Sequence, residues 1–297
     1  MDLRQLEMFI AVAENLSFTE ASRKLHVAQS AISRKIALLE RELGEKLFQR
    51  VSRRVYLTPA GETLLRHARR VFIELRNAGL EISETTQLSR GLLRIGSGLT
   101  ACMYLLPPVL ERFREYYPNV ELEVVTGPTE TLLPQIRDNL LDLGVFTLPV
   151  DYPGVQVTPL CREEFVVVAS PRHPELGHRK SLPAVEIARY PLILFSRAAA
   201  TRRRIDAFFR EVGISPRIAM EAENVAVIKP LVAINLGVTL LPVRSVEGEV
   251  RRGELHALAL EDRKLAREIG LVYLKADHIP KALAALIRLF RKHHGGA

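Results

Sequence analysis

Apolar residues at Leu3, Leu6, Phe9, Ile10 and Ala13 recur at helical spacing and predict a first helix. Ser17, with Glu20 three residues on, fits a capping box, so a second short helix follows over residues 19–25 and Leu25 closes its apolar face. His26 and Val27 make a turn, and a third helix opens at Ala28 or Gln29 with Ile32, Ile36, Leu39 and Leu43 on its core side. Two helices joined this closely form a helix-turn-helix, whose second helix fits a DNA major groove. Gly44 stops that helix. The stretch "KLFQRVSRRVYLTPAG" then alternates like a two-stranded ribbon, anchored by Leu47 and Phe48 and returning through Val55 and Leu57. The pattern predicts a winged helix-turn-helix over residues 1–58.

Pro59 opens a longer helix, a position where its missing amide costs little. Leu64, Ala68, Val71, Leu75, Ala78 and Ile82 are spaced alternately by four and three, the seam of a coiled coil. We read residues 59–90 as a linker helix that pairs two chains. The competing reading packs this seam against the helix's own domain. After the "RGLLRIGSGL" segment, strands are predicted at 92–96, 120–125, 142–146, 165–169, 192–195, 217–220, 238–241 and 269–274. Helices alternate with them at 106–116, 131–139, 201–212, 225–235 and 280–293. That alternation predicts an α/β domain over 91–297 with a mostly parallel sheet covered on both faces. Its length suggests two lobes, with the chain crossing near Cys161 and returning near Ala266. Lobe I then spans about 91–161 and 266–297, and lobe II about 162–265.

Charge sharpens the reading of the N-terminal part. The 297 residues carry a net charge of +8, and the stretch from Arg23 to Arg76 holds 13 Lys/Arg against 5 Asp/Glu. The whole surplus therefore lies beside the helix-turn-helix, as expected of a nucleic-acid module joined to a balanced partner domain. The outward face of the third helix is short and hydrogen-bonding: Gln29, Ser30, Ser33, Arg34 and Arg41, with Ala37 among them. Gln29 can pair bidentately with adenine and Arg34 with guanine, while Ser30 and Ser33 keep the surface low enough to enter a groove. Ser52, Arg53 and Arg54 stand at the tip of the ribbon, where a wing meets phosphate or the minor groove.

The C-terminal part offers binding loops and no catalytic set. "GSGLTA" mimics a dinucleotide fingerprint, but Pro107 and Pro108 interrupt the helix that should receive the pyrophosphate. The same loop suits a strand end feeding a helix, where Ser97 and Thr100 can hold an anion. Thr129 in "TGPTETL" repeats that arrangement, Thr147 follows "DLGVF", and Phe195 and Ser196 end a strand of the second lobe. Each hydroxyl has an alternative as a helix cap or surface group. Arg202, Arg203 and Arg204 read as a solvated helix face in preference to a ligand clamp. The two cysteines, Cys102 and Cys161, make no disulfide framework and read as buried thiols, which places the protein in the cytoplasm. The histidines show no metal spacing, no P-loop or Gly-x-Ser-x-Gly occurs, and no segment is apolar enough to span a membrane. The opening "MDLRQLEMFIAVAEN" does not read as a secretion signal. The rival classes are an enzyme or transport protein with an incidental helix-turn-helix, and a DNA-binding protein with a ligand-free scaffold domain.

The stretch "FTEASRKLHVAQSAISRKIALLERELGEKLFQRVSRRVYLTPAGE" is similar to the N-terminal signature of LysR-type transcriptional regulators, and the likeness covers residues 2–61. By this resemblance Gln29, Ser33 and Arg34 are groove contacts, and Arg50, Arg53 and Arg54 are wing and backbone contacts. Many relatives carry Pro where Ser30 stands. The motifs "LLPPVLERFREYYPNVELEVVTG", "LLDLGVF" and "LVAINLGVTLLP" resemble the family's effector domain, a two-lobed fold like that of periplasmic binding proteins. Many relatives have Gly at Asn235; the position ends a helix in left-handed geometry, which Asn tolerates. The resemblance implies no enzymatic activity and no cofactor. It implies a dimer or tetramer that pairs through the linker helix and holds a ligand between two lobes; with the loops above, we expect a regulator that reads double-stranded DNA, binds a small anionic metabolite there and alters contact with RNA polymerase.

Overall fold

Asp2 starts the first helix, α1 (Leu3–Asn15), with a full capping box: its carboxylate accepts from the Gln5 amide at 2.6 Å and the Gln5 side chain accepts from the Asp2 amide at 2.7 Å. Ser17 caps α2 (Phe18–Leu25) by accepting from the Glu20 amide at 3.2 Å. The expected box is only half made there, because the Glu20 carboxylate pairs with Arg23 instead. His26 adopts left-handed geometry at the turn, and α3 (Gln29–Leu43) follows. The wing consists of antiparallel β1 (Phe48–Val51) and β2 (Arg54–Leu57), with Phe48 opposite Leu57. The helix α4 (Pro59–Ser83) completes this part. Its core joins Phe9, Phe18, Ile32, Leu39 and Phe48. Leu43, expected on the core face, is exposed beside the stop at Gly44.

The computed structural model describes residues 1–51, 54–83, 91–276 and 279–295. Two compact units emerge: residues 1–86 with 138–140, and residues 87–137 with 141–297.

The second unit opens with β3 (Gly91–Ser97), α5 (Leu99–Tyr104), α6 (Pro107–Tyr116), β4 (Val120–Thr126), α7 (Thr129–Arg137) and β5 (Leu143–Thr147). A 15-residue strand, β6 (Val155–Ala169), leads to β7 (Ser181–Leu182), β8 (Pro191–Phe195), α8 (Ala200–Val212), β9 (Arg217–Ala222), α9 (Val225–Ala233) and β10 (Thr239–Pro242). The chain finishes with α10 (Glu247–Arg251), β11 (His256–Leu260), β12 (Ala266–Leu274) and α11 (Lys281–His294). The strand order β4-β3-β5-β12-β6-β11-β7, with β10 also on β6, makes one mixed sheet, and β8 pairs with β9.

The expected mostly parallel sheet exists at its flanks: β3, β4 and β5 run parallel, as do β8 and β9. Its centre differs. The strand β12 is antiparallel to both β5 and β6, and β10 and β11 are antiparallel to β6. The cause is the length of β6. Its first part pairs with β12, its last residues with β10 and β11, so one strand serves two cores. Only 165–169 was legible as strand because the earlier part contains Pro159, which sits at a register shift opposite Gly270, and the charged run Arg162, Glu163 and Glu164. One core gathers Phe165, Leu192, Phe208, Ile228 and Leu258; the other gathers Ile95, Phe113, Val145, Leu271 and Phe290. The first core belongs to lobe II; the second, with a smaller cluster of Leu132, Ile136, Phe146 and Val272, belongs to lobe I.

Candidate functional site

The face of α3 turned from the core is built by periodicity. With Ile32, Ile36 and Leu39 buried, Gln29, Ser30, Arg34 and Ala37 are left exposed and Ser33 half-buried. The Arg34 guanidinium lies back along the helix, Nε donating to the Ser30 carbonyl at 3.4 Å. Ala28 provides no side-chain cap; its carbonyl takes the Ala31 amide at 2.9 Å, which leaves the Gln29 and Ser30 amides without an acceptor among the described residues. Glu40, the acidic residue on this helix nearest the basic face, is taken out of play. It is buried, its carboxylate accepts from the Leu47 and Phe48 amides, and Lys46 pairs with it at 2.6 Å. The wing strands place exposed Arg54 at the turn. Ser52 and Arg53 lie outside the described residues, as does the side chain of Arg50.

On α4 the expected seam divides. Leu64 and Ala68 pack against the core of their own unit, which corrects their assignment to a partner. Val71, Leu75 and Ala78 are exposed, Leu75 at 49 %. The side chain of Ile82 lies outside the described residues.

In the second unit a cleft of about 460 Å³ opens where parallel strands end and the next helices begin, the expected place for a ligand in such a sheet. From lobe I come Thr100 at the start of α5, Thr126 and Thr129 around the turn into α7, and Thr147 at the end of β5. From lobe II come Phe195, Ser196 and residues 198–201 at the end of β8 and start of α8, with Glu223 and Asn224 after β9. Thr100, Thr129, Thr147, Phe195 and Ser196 of the expected set are therefore together. Ser97 is not: it is fully buried, its hydroxyl within 3.3 Å of the Val145 carbonyl and 3.0 Å of the Gly98 carbonyl, so it ties β3 to β5 beneath the loop. Asn224 caps α9 by accepting from the Val227 amide. The hydroxyls of Thr100, Thr126, Thr129, Thr147 and Ser196 have no hydrogen-bond partner among the described residues.

Arg267, unforeseen in the sequence, lines this cleft at only 6 % exposure. Its Nε donates to Glu163 at 2.8 Å and its Nη1 to the Thr201 hydroxyl at 2.7 Å. Nη2 lies 2.7 Å from the same Glu163 oxygen, inside the ion pair but without an aligned hydrogen bond of its own. Arg267 and Glu163 face each other across neighbouring strands, β12 and β6, a pairing that only the register discloses. The arginine run on α8 also departs from a solvated face. Arg202 is buried, donating to the Phe195 carbonyl at 2.7 Å and pairing with Asp206 and Glu221, which fixes α8 against the end of β8. Arg203 reaches from lobe II to Glu130 of α7 at 2.6 Å, and Arg204 donates to the Ala266 carbonyl.

Cys102 and Cys161 pack against the lobe I core, outside the cleft lining, and burial pushes both thiols up. The break at Pro107 and Pro108 is real: α5 ends after six residues and α6 begins at Pro107. Asn235 is left-handed, with φ 62°, as its place after α9 requires. No helix among the described residues is long and apolar enough to cross a membrane, and no cluster of possible metal ligands occurs among them.

Residues 3–62 match the bacterial regulatory helix-turn-helix protein family of lysR type, and residues 86–295 match the LysR substrate binding domain. A probable hydrogen peroxide-inducible genes activator of Mycobacterium avium is 34 % identical over 286 residues, covering 95 % of this chain and 92 % of the relative. The solved structure of a cysteine-to-serine variant of OxyR from Corynebacterium glutamicum, bound to hydrogen peroxide, is 30 % identical with a TM-score of 0.61, over 97 % of this chain and 90 % of that one. Full-length CbnR in complex with its target DNA superimposes with a TM-score of 0.76 over 98 % of this chain and 99 % of that one; at 23 % identity this shows the fold alone. With both domain matches in sequence order and together spanning nearly the whole chain, the protein belongs to the LysR family of transcriptional regulators.

Proposed function

We propose that this regulator reads DNA through Gln29, Ser30, Ser33 and Arg34 of α3 and through Arg50, Ser52, Arg53 and Arg54 of the wing, and that a small anionic metabolite in the inter-lobe cleft controls it. Arg267 carries the second half of this reading. A guanidinium that lines the cleft, together with five hydroxyls that lack a partner among the described residues, favours an incoming acceptor. Thr100, Thr129, Thr147, Phe195 and Ser196 are its proposed contacts. Val71, Leu75, Ala78 and Ile82 pair subunits into a dimer, or a tetramer built from dimers. Ligand that binds one arrangement of the lobes better shifts the subunits on DNA and thereby contact with RNA polymerase.

Hydrogen peroxide, named for several relatives, is not carried over. Peroxide oxidises a thiolate, and no cysteine lines the cleft while both thiols of this chain are held in the protonated form.

The test selects bound fragments from a bacterial genomic library at two salt concentrations. Enrichment of interrupted inverted repeats, with non-specific binding falling steeply in salt, supports the DNA half; recovery without an enriched sequence overturns it. For the effector half, small molecules from a cell extract are split on an anion exchanger. The retained fraction is expected to raise the melting temperature; a shift produced by the flow-through alone refutes an anion.

A further inference from the structure

The cleft's charge balance narrows the effector further, on the premise that it is an anion bound there. Among the described residues, Arg267 and Glu223 are the ionisable groups that line it. Arg267 is already neutralised by Glu163, itself only 3 % exposed at the side chain, and Glu223 adds a negative charge at the exposed rim. A sulfate, phosphate or dicarboxylate entering here brings a second charge with no cation to meet it, and desolvating an unpaired charge is costly. A single carboxylate is matched by what the site does hold. The helix α8 opens onto the cleft with Ala199 as an N-cap that supplies no side-chain hydrogen bond, so its first amides point there unpartnered. Arg267, nine-tenths buried, lines the same cleft and donates to Thr201 in the first turn of that helix, its Nη2 without an aligned hydrogen bond of its own. Half a positive charge at a 13-residue helix's N-terminus suits one carboxylate, not two.

Size and lining supply the rest. A five-atom oxyanion fills little of about 460 Å³, and pockets in the range of ~300–1,000 Å³ hold organic ligands of drug size. Beyond the head-group end the walls combine carbon, from Leu99, Pro128 and Phe195, with the hydroxyls of Thr100, Thr126, Thr129 and Thr147. We infer that the effector is an organic monocarboxylate with a compact body, its carboxylate at the N-terminus of α8 beside Arg267 and its body between the two lobes.

The experiment uses the full chain and a panel of monocarboxylates of four to nine carbons, straight, branched, cyclic and aromatic. Matching carboxamides, the corresponding dicarboxylates, sulfate and phosphate complete the panel, read by thermal shift and calorimetric titration. The site-directed variant is Ala200→Pro. Proline is tolerated at the first position of a helix, Ala199 already has the extended backbone (φ −71°, ψ 134°) that precedes proline, and the change deletes one donor amide. At least one monocarboxylate is expected to bind, its carboxamide at least tenfold more weakly, with Ala200→Pro lowering its affinity at least tenfold at an unchanged ligand-free melting temperature. Preferential binding of sulfate, phosphate or a dicarboxylate overturns this inference and leaves the anionic reading standing. Equal binding of acid and amide overturns both. A silent panel, or affinity untouched by Ala200→Pro when melting is unchanged, overturns the inference alone; should the variant unfold, the acid-to-amide ratio on the unaltered protein decides.

Discussion

Gly61 shows how closely the first turn of α4 approaches the wing. A Cβ there would run into the Leu47 carbonyl and stand 2.9 Å from Leu57 Cδ2, and Thr58 fastens the same corner by donating to the Lys46 carbonyl at 2.5 Å and accepting from the Gly61 amide at 3.0 Å. Backbone cannot yield as a side-chain tip does, so Gly61→Ala is expected to destabilise the DNA-binding unit by roughly 1–3 kcal/mol in urea unfolding. Arg34 has a different kind of importance. It is exposed and supports no core, so Arg34→Ala is expected to leave stability unchanged and to cost about 1–3 kcal/mol of operator binding with relaxed sequence preference. Equal weakening on operator and random DNA, measured by fluorescence anisotropy, would place Arg34 on the backbone. His294 is buried between elements distant in sequence: Arg244 approaches Nδ1 at 2.7 Å and the Leu105 carbonyl approaches Nε2 at 3.0 Å. Desolvation holds its pKa below the ordinary histidine value; the hydrogen bond to Leu105 and Glu163 oppose this, and Arg244 and His293 reinforce it. The neutral ring is therefore the native form, accepting from Arg244 and donating to Leu105. Its contribution is complete above about pH 6.5, the unfolded value, and is lost as pH falls toward the depressed folded value. His294→Gln is expected to flatten the fall in melting temperature below pH 6.5; an unchanged slope would assign that fall to other groups, such as His173, whose pKa burial also lowers.

At the scale of elements, α4 has two roles along one helix. Its first turns serve the winged domain through Leu64 and Ala68, and its later turns expose Val71, Leu75 and Ala78 at the spacing of a coiled coil. The seam rule located the stripe without distinguishing the two halves, because periodicity reports which side is apolar and not what covers it. Burying Leu75 in both copies of a dimer is worth roughly 3 kcal/mol or more. Leu75→Glu is expected to raise the dimer dissociation constant by at least a hundredfold in sedimentation equilibrium, whereas an unaltered oligomer would move the interface elsewhere. The helices that open onto the cleft are likewise set by what holds them. Arg202 anchors α8 to the ends of β8 and β9, so three consecutive arginines divide their work: one buried anchor, one reaching Glu130 of the other lobe, and one bonding the start of β12. Charge density alone had suggested a uniform solvated face.

Across the whole molecule, the local alphabet and the tertiary pairing contributed different things. Residues 1–61 were legible nearly element by element, because short-range signals decide them: apolar spacing, the turn at His26, the stop at Gly44 and the ribbon alternation. The same holds for β3, β4, β5, β8 and β9, for α6, α7, α8 and α9, and for Asn235, whose left-handed φ follows from its place after α9; the short α5 was not foreseen. The direction of the central strands was not legible, since hydrophobic alternation is identical for parallel and antiparallel neighbours. Nor was the first part of β6, whose charged residues pair across the sheet. In the cleft, sequence brought forward the hydroxyls at strand ends, where binding loops recur, but it credited Ser97 with a role that burial removes. It passed over Arg267 altogether, because an arginine in a strand looks like any other until register sets it beside Glu163, 104 residues away in the chain. The sequence by itself determined the family, the winged motif and the α/β character, all products of interactions within a few turns of chain. Only the tertiary structure decided which side chains share the cleft, which charges there are already paired and which donors remain, because those depend on contacts between residues that the chain keeps far apart.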